Sequence, residues 1–323
     1  MKAKLWGVRG SLPSPLPPSD IEQRLRETLE QFVELGFGKR EINKYISSLP
    51  VHKRGGFGGN TPCCEVFTDT TALLVDGGSG LRRKGYELMN GPCGKGEGDV
   101  HLLMTHFHWD HIIGIPFFVP VFIPKNRIHI HAVQWEAEET FRMLFRKPNF
   151  PVPYDALGAE IIYHRLEPRK PVTIGDISFT PYQLDHPDPA WGYRFEHGGR
   201  VLSYCVDTEC TRASREDLGP DLPLYEKVDT LIIDAQYSLP EAIEKVNWGH
   251  AAATIALDIA MREKIGKVIF THHDPAAGDD KIAVVAHQTE AYEAYELKQA
   301  RKAGLPLKEV EWCFAQEEMI IEV

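Results

Sequence analysis

From about residue 60 onward, short apolar runs alternate with turn-forming residues, the pattern of a strand-rich chain. Residues 64–68, 72–76 and 100–105 read as strands. The last two are apolar runs ending in polar residues, as expected of strands that feed a site at a sheet edge. Further strands are predicted over 127–132, 161–166, 177–184, 192–196, 201–206, 230–235 and 267–271. Apolar residues at helical spacing predict helices over 134–146, 251–263 and 285–302, and residues 309–322 read as a closing strand or pair. Residues 112–122 are apolar but broken by Pro116 and Pro120, so they read as a helix start followed by loop. At the N-terminus, residues 2–8 read as a short edge strand. The proline-rich stretch 12–18 cannot be a helix interior. Ser19-Asp20 then offers an N-cap, and Ile21, Leu25, Leu29, Phe32 and Val33 continue at helical spacing towards residue 35. A second short helix is expected over 39–47. Residues 14–52 thus read as a mostly helical insertion in the first hairpin, closed by the glycine-rich turn 55–59. With strands dominating both halves and helices between them, the expectation is an α+β chain: an αββα sandwich of two mixed β-sheets with helices on the outer faces. Residues 1–323 read as one domain carrying that insertion.

The chain is long enough to bury a sizeable core without covalent staples. Its formal net charge is -10, which disfavours a non-specific nucleic-acid binder but not a small anion held at a local metal site. Six cysteines without a CxxC pair point to free thiols in a reducing cytosol rather than a disulfide framework. The N-terminus lacks a signal-peptide core, and no apolar run reaches the roughly 20 residues of a membrane span. A cytoplasmic protein without membrane contact is expected.

The chemistry concentrates in Thr105-His106-Phe107-His108-Trp109-Asp110-His111, directly after a predicted strand. One divalent ion cannot easily take His106, His108, Asp110 and His111 from so short a loop, whereas two neighbouring ions can. Imidazole and carboxylate donors suit zinc, with manganese or iron as alternatives. Other donors lie at predicted strand ends: His186, Asp207, and His272 or His273, which spacing does not separate. Strand-end placement brings distant segments to one sheet edge. Asp76 before Gly77-Gly78 reads either as a site residue or as a turn, and Asn60 as site-facing or as a turn. His250 reads either as a catalytic group or as an N-cap of the helix that follows. Trp109 either packs beneath the metals or touches substrate. His129 and His131 share one strand face, but no partner for them is near in sequence.

In the order Asp76-Gly77-Gly78, HxHxDH, His186, Asp207 and His272, these motifs resemble the metallo-β-lactamase superfamily over nearly the whole chain. They are most similar to its phosphodiesterase branch, which includes ribonuclease Z and the PhnP-like cyclic phosphodiesterases. Asp110 within the run, and Ile233-Asp234-Ala235-Gln236-Tyr237 followed by Gly249-His250-Ala251, carry that finer likeness. The resemblance implies the metallo-β-lactamase fold and two divalent ions. His106, His108 and His186 would hold one ion, Asp110, His111 and His272 the other, and Asp207 would bridge them. Asp76 would orient ligand imidazoles, and His250 would protonate the leaving group. Asp110 counts among the catalytic as well as the metal-holding residues. Ala251 stands where serine or threonine is usual, and the segment after Arg127 is too short for the long arm with which ribonuclease Z grips transfer RNA. The implied activity is hydrolysis of a small nucleotide, cyclic or open, or a related phosphodiester by a bridging hydroxide, with no long nucleic acid as partner. Rivals are lactone, thioester or lactam hydrolysis on the same fold, and a non-hydrolytic sensor. The insertion is free to cap the site or to form a homo-oligomeric contact.

Overall fold

A computed structural model describes residues 1–323. Its strands are β1 (Lys2–Gly7), β2 (Cys63–Phe67), β3 (Ala72–Val75), β4 (Asp99–Leu103), β5 (Arg127–Ala132), β6 (Glu160–Arg165), β7 (Val172–Ile174), β8 (Ile177–Gln183), β9 (Trp191–His197), β10 (Arg200–Cys205), β11 (Thr230–Asp234), β12 (Lys267–Thr271), β13 (Glu311–Phe314) and β14 (Ile320–Glu322). They form two seven-stranded sheets, ordered β14-β1-β2-β3-β4-β5-β6 and β13-β12-β11-β10-β9-β8-β7. Each sheet is mixed: β3 to β6 run parallel in the first and β10 to β13 in the second, with antiparallel pairs on the other side.

The alternation of side chains along a strand builds the layers. In β11 and β12, Ile232 and Ile269 point between the sheets, where they join Leu5, Val66, Leu73, Phe179 and Phe195. Their neighbours Leu231, Ile233, Val268 and Phe270 point outward onto Ala256, Leu257 and Ala260 of the helix Ala253–Glu263. Leu74, Leu102, Ile128 and Ile130 on the far face of the first sheet meet Leu81, Phe141 and Leu144. Strands covered on both faces must be continuously apolar, which is why these segments read as unbroken hydrophobic runs. Each fully buried side chain of this kind stabilises by roughly 1.5–3 kcal/mol. The result is the expected αββα sandwich.

Differences from the sequence expectation are local. β1 is not an edge strand, because the C-terminal β14 pairs with it on the side away from β2. The closing segment splits: β13 joins the second sheet and β14 the first. Between residues 14 and 54 lie the helix Pro18–Glu34, a short turn of helix, the helix Ile42–Ser48 and a further turn Val51–Arg54. Ile21, Leu25, Leu29 and Val33 have the predicted spacing but remain exposed, and no residue of the first helix is buried. That helix is tied down by Arg24 to Asp279 (2.8 Å) and Glu27 to Lys53 (2.9 Å). No helix is long and apolar enough to cross a membrane.

Candidate metal centre

Three strands, one in the first sheet and two in the second, end on unusual backbone. Asp76 after β3, Asp207 just beyond β10 and His272 after β12 have φ of 63°, 64° and 65°. Left-handed backbone is uncommon for residues with a Cβ, and such conformations gather at functional sites. Here the sharp turn aims each side chain across the sheet edge. Between these ends sits the loop after β4, whose short helix Trp109–Ile112 brings Asp110 and His111 inward.

Two donor groups form, sharing one carboxylate. His106, His108, His186 and Asp207 make the first; Asp110, His111, Asp207 and His272 make the second. Asp207 presents Oδ2 to His106 Nε2 (3.3 Å) and His186 Nε2 (4.0 Å). Its Oδ1 faces His111 Nε2 (3.2 Å) and His272 Nε2 (2.9 Å). Asp110 Oδ2 lies 3.0 Å from His272 Nε2 and 3.5 Å from His111 Nε2.

The imidazoles are held from behind. Asp76 Oδ2 lies 2.9 Å from His111 Nδ1, while its Oδ1 accepts the backbone N–H and hydroxyl of Thr105. Thr105 Oγ1 lies 3.1 Å from His106 Nδ1. His186 Nδ1 donates to the Asp188 carbonyl at 2.9 Å, and His108 Nε2 lies 2.8 Å from the Asp188 carboxylate, which leaves Nδ1 of His108 as its other ring nitrogen. His272 Nδ1 donates to Gln236 Oε1 at 2.8 Å. On the inward side, Nε2 of His106, His111 and His186 and Oδ1 of Asp207 are buried without a hydrogen-bond partner. Buried polar atoms are rarely left so. Orphaned lone pairs facing one another, each ring anchored by its far nitrogen, fit a divalent cation.

Charge agrees with this fit. Burial opposes charge on His272, yet Asp207 and Asp110 override it and raise the imidazole to about 10. Burial likewise opposes charge on His111, and Asp207, Asp76 and Asp110 again raise it. Burial, with His111 beside it, pushes His106 down to about 4, so that ring is a neutral donor. Asp207 and Asp110 are held below the usual carboxylate range: burial works against this, and His272 and His111 prevail on Asp207, His111 foremost on Asp110. The carboxylates draw positive charge to one point.

The structure places the remaining candidates as follows. His273 is not site-facing: it turns the other way, donates from Nε2 to the Ala315 carbonyl at 2.9 Å and packs between Phe57 and Phe314. Successive residues leave a strand end on opposite sides, so only His272 reaches the donors. His250 does not cap the following helix, whose N-cap is Ala252. Its Nδ1 instead lies 2.9 Å from Asp234 Oδ2, and its ring stacks on His272 with centroids 4.9 Å apart. Trp109 is exposed, which excludes packing beneath the donors. Asn60 bonds Glu317 and Ser79 and lines a cleft of about 510 Å³ with Pro13, Pro15, Arg82 and Phe117. Asp188 and Ser11, whose backbone N–H donates to Asp110 Oδ2 at 2.8 Å, carry no signal in the sequence. Asp234 and Gln236 stand there only within the Ile233–Tyr237 segment that carries the resemblance, without a role of their own.

Residues 71–273 match the family model of the beta-lactamase superfamily domain. Ribonuclease Z of Staphylococcus carnosus (strain TM300) is 22% identical over 196 residues, covering 55% of this chain and 59% of the relative. The chain spans about half the length of the curated relatives it matches. Among solved structures, a diphosphatase of the PhnP family superposes with a TM-score of 0.59 at 16% identity, over 100% of this chain and 97% of the other. Zinc-bound PqqB from Methylobacterium extorquens superposes with a TM-score of 0.62 at 14% identity, over 100% of both chains. At such identities the structural likeness speaks for the fold.

Proposed function

The chain belongs to the beta-lactamase superfamily, and on that premise we propose that it is a dinuclear metal-dependent phosphodiesterase acting on a small nucleotide or related phosphodiester. The observation that carries this reading is Asp207, whose two oxygens face two separate histidine groups. His106, His108 and His186 would hold one ion and Asp110, His111 and His272 the other, with Asp207 shared. Zinc suits the imidazole and carboxylate set. Two such ions supply an acidified water at neutral pH and neutralise charge on the phosphoryl oxygens.

The chain's own groups then divide the work. Asp76, Thr105, Gln236 and Asp188 fix the imidazole rings from behind. Asp234 holds His250 by Nδ1 and also accepts the Ala251 backbone N–H at 3.1 Å, which fixes the Gly249-His250-Ala251 segment. That leaves His250 Nε2 to deliver a proton to the leaving oxygen. Imidazole suits general-acid work near neutral pH. Asp234 here supports the histidine directly, and Ala251 takes part through its backbone rather than through a hydroxyl.

A small substrate is favoured over a long polyanion by the net charge of -10. It is also favoured by the segment between β5 and β6. There the helix Ala137–Leu144 folds down on the first sheet, with Phe141, Leu144 and Phe145 buried, and does not extend as an arm. Support for the phosphodiester comes from the His250–Asp234 pair and from the curated relatives, both named ribonuclease Z. The test is turnover of bis(p-nitrophenyl) phosphate by wild type and His250→Ala, with metal measured on both. We expect His250→Ala to keep its metals and lose about 10²–10⁴-fold in rate. A wild type carrying both metals that leaves the diester intact would overturn the reading in favour of lactone or thioester substrates.

A further inference from the structure

Four histidines meet on the face of the first sheet that looks towards the second, near its β6 edge, with His131 against Phe179. β4 and β5 are parallel, with His101 opposite His129, and β5 and β6 are parallel, with His131 opposite His164. Residues paired across parallel strands point to the same face, and a period of two keeps Asp99 with His101 and His129 with His131. The intervening Val100, Leu102, Ile128 and Ile130 point to the opposite face, into the apolar layer under the helices. The HxH of β5 therefore has the partners that its own sequence neighbourhood lacks.

The rings pair in an ordered way. His101 Nδ1 lies 3.0 Å from His131 Nε2, and His129 Nδ1 lies 2.8 Å from His164 Nε2. The rings stack, with centroids of His101 and His129 4.6 Å apart and those of His131 and His164 4.5 Å apart. A neutral imidazole has one donor and one acceptor nitrogen, so each pair uses one nitrogen of each ring. His129 Nε2 is turned to Asp99, whose Oδ1 lies 2.8 Å away. The other oxygen of Asp99 pairs with Arg127, which holds the carboxylate in place. One ligand atom from each of Asp99, His101 and His129 falls within 4.8 Å of the others.

We propose that Asp99, His101 and His129 form a second, independent binding site for a transition-metal ion of the zinc class. His131 and His164 would orient the two ligand rings by holding their Nδ1 atoms. An imidazole ligand commonly has its second nitrogen fixed by a neighbour, and here both do. Two nitrogens and one carboxylate oxygen, with an open position towards solvent, match the donor preference of zinc, cobalt or nickel over that of magnesium or calcium. Bound there, an ion would staple β4 to β5 beside the sheet edge.

The test is metal content per chain after equilibration at one fixed free zinc concentration, for wild type, His129→Gln and Asp99→Asn. We expect wild type to hold one equivalent more than His129→Gln, with hydrolytic turnover unchanged. The comparison is a difference, so whatever the Asp207 cluster holds cancels. Asp99 is exposed, so Asp99→Asn serves if His129→Gln fails to fold; it should bind the extra zinc at least tenfold more weakly. Equal metal content in wild type and folded His129→Gln, or unchanged affinity in Asp99→Asn, would overturn the proposal.

Discussion

Gly249 is where a single methyl group tests the centre. Its φ is 89°, and a Cβ built there would lie 2.2 Å from His186 Cδ2 and 2.5 Å from Nε2. Only glycine lets the backbone pass so close behind that ring. Gly249→Ala should therefore turn the His186 imidazole away from Asp207 while leaving His250 on Asp234. Loss of ligand orientation commonly costs about 10–100-fold in metal affinity, and we expect zinc titrations of Gly249→Ala to fall in that range. Wild-type affinity in the variant would mean that His186 is not a ligand. At this scale the sequence was most legible where donors are adjacent. HxHxDH announces itself because its geometry is local, whereas Gln236 and Asp188 act only because a fold brings them to rings far along the chain. His272 and His273 could not be separated by spacing, since strand direction decides which of two neighbours faces the edge.

The strand ends set the site at the next scale. Asp76 holds left-handed backbone in order to point its carboxylate at Thr105 and His111. Asp76→Ala and Asp76→Gly both remove the carboxylate, so both should weaken metal binding. They should differ in stability, because a Cβ in left-handed backbone costs about 1–2 kcal/mol. Denaturant unfolding should place Asp76→Gly above Asp76→Ala by about 1 kcal/mol or less, since the greater entropy of glycine in the unfolded chain offsets part of that cost. A less stable glycine variant would show that the backbone strain is not real. Core strands were readable because burial on both faces forces unbroken apolar runs. β7, three residues long, was missed for want of any period, and the helix Asp279–Ala303 begins earlier than its apolar spacing suggests because its first turn is acidic and polar. β1 looked like an edge strand because nothing in residues 2–7 reports a partner, β14, that lies at the other end of the chain.

Across the whole molecule, the centre joins the two sheets: Asp76 and the loop after β4 belong to the first, while Asp207 and His272 belong to the second. Carboxylates and imidazoles meet across that seam, and His106 Nε2 and His186 Nε2 stay buried without a hydrogen-bond partner until a cation lies between the groups. Metal should therefore stabilise the sandwich and not merely decorate it. Ions that bind only the folded chain add about 4 kcal/mol at a thousandfold excess over Kd. With an unfolding entropy of about 2.1 cal/mol/K per residue, a 323-residue chain should then lose roughly 6 °C in Tm for each ion that chelation removes. The site proposed on β4 and β5 would add to this, so the measurement belongs on His129→Gln as well as wild type. In both proteins Tm should drop on chelation and recover on adding zinc. Asp207→Ala, which removes the carboxylate shared by both groups, should lose most of that response. If Asp207→Ala responds to zinc as strongly as wild type does, the stabilising ion does not sit at the seam, and the two sheets are held there by packing alone.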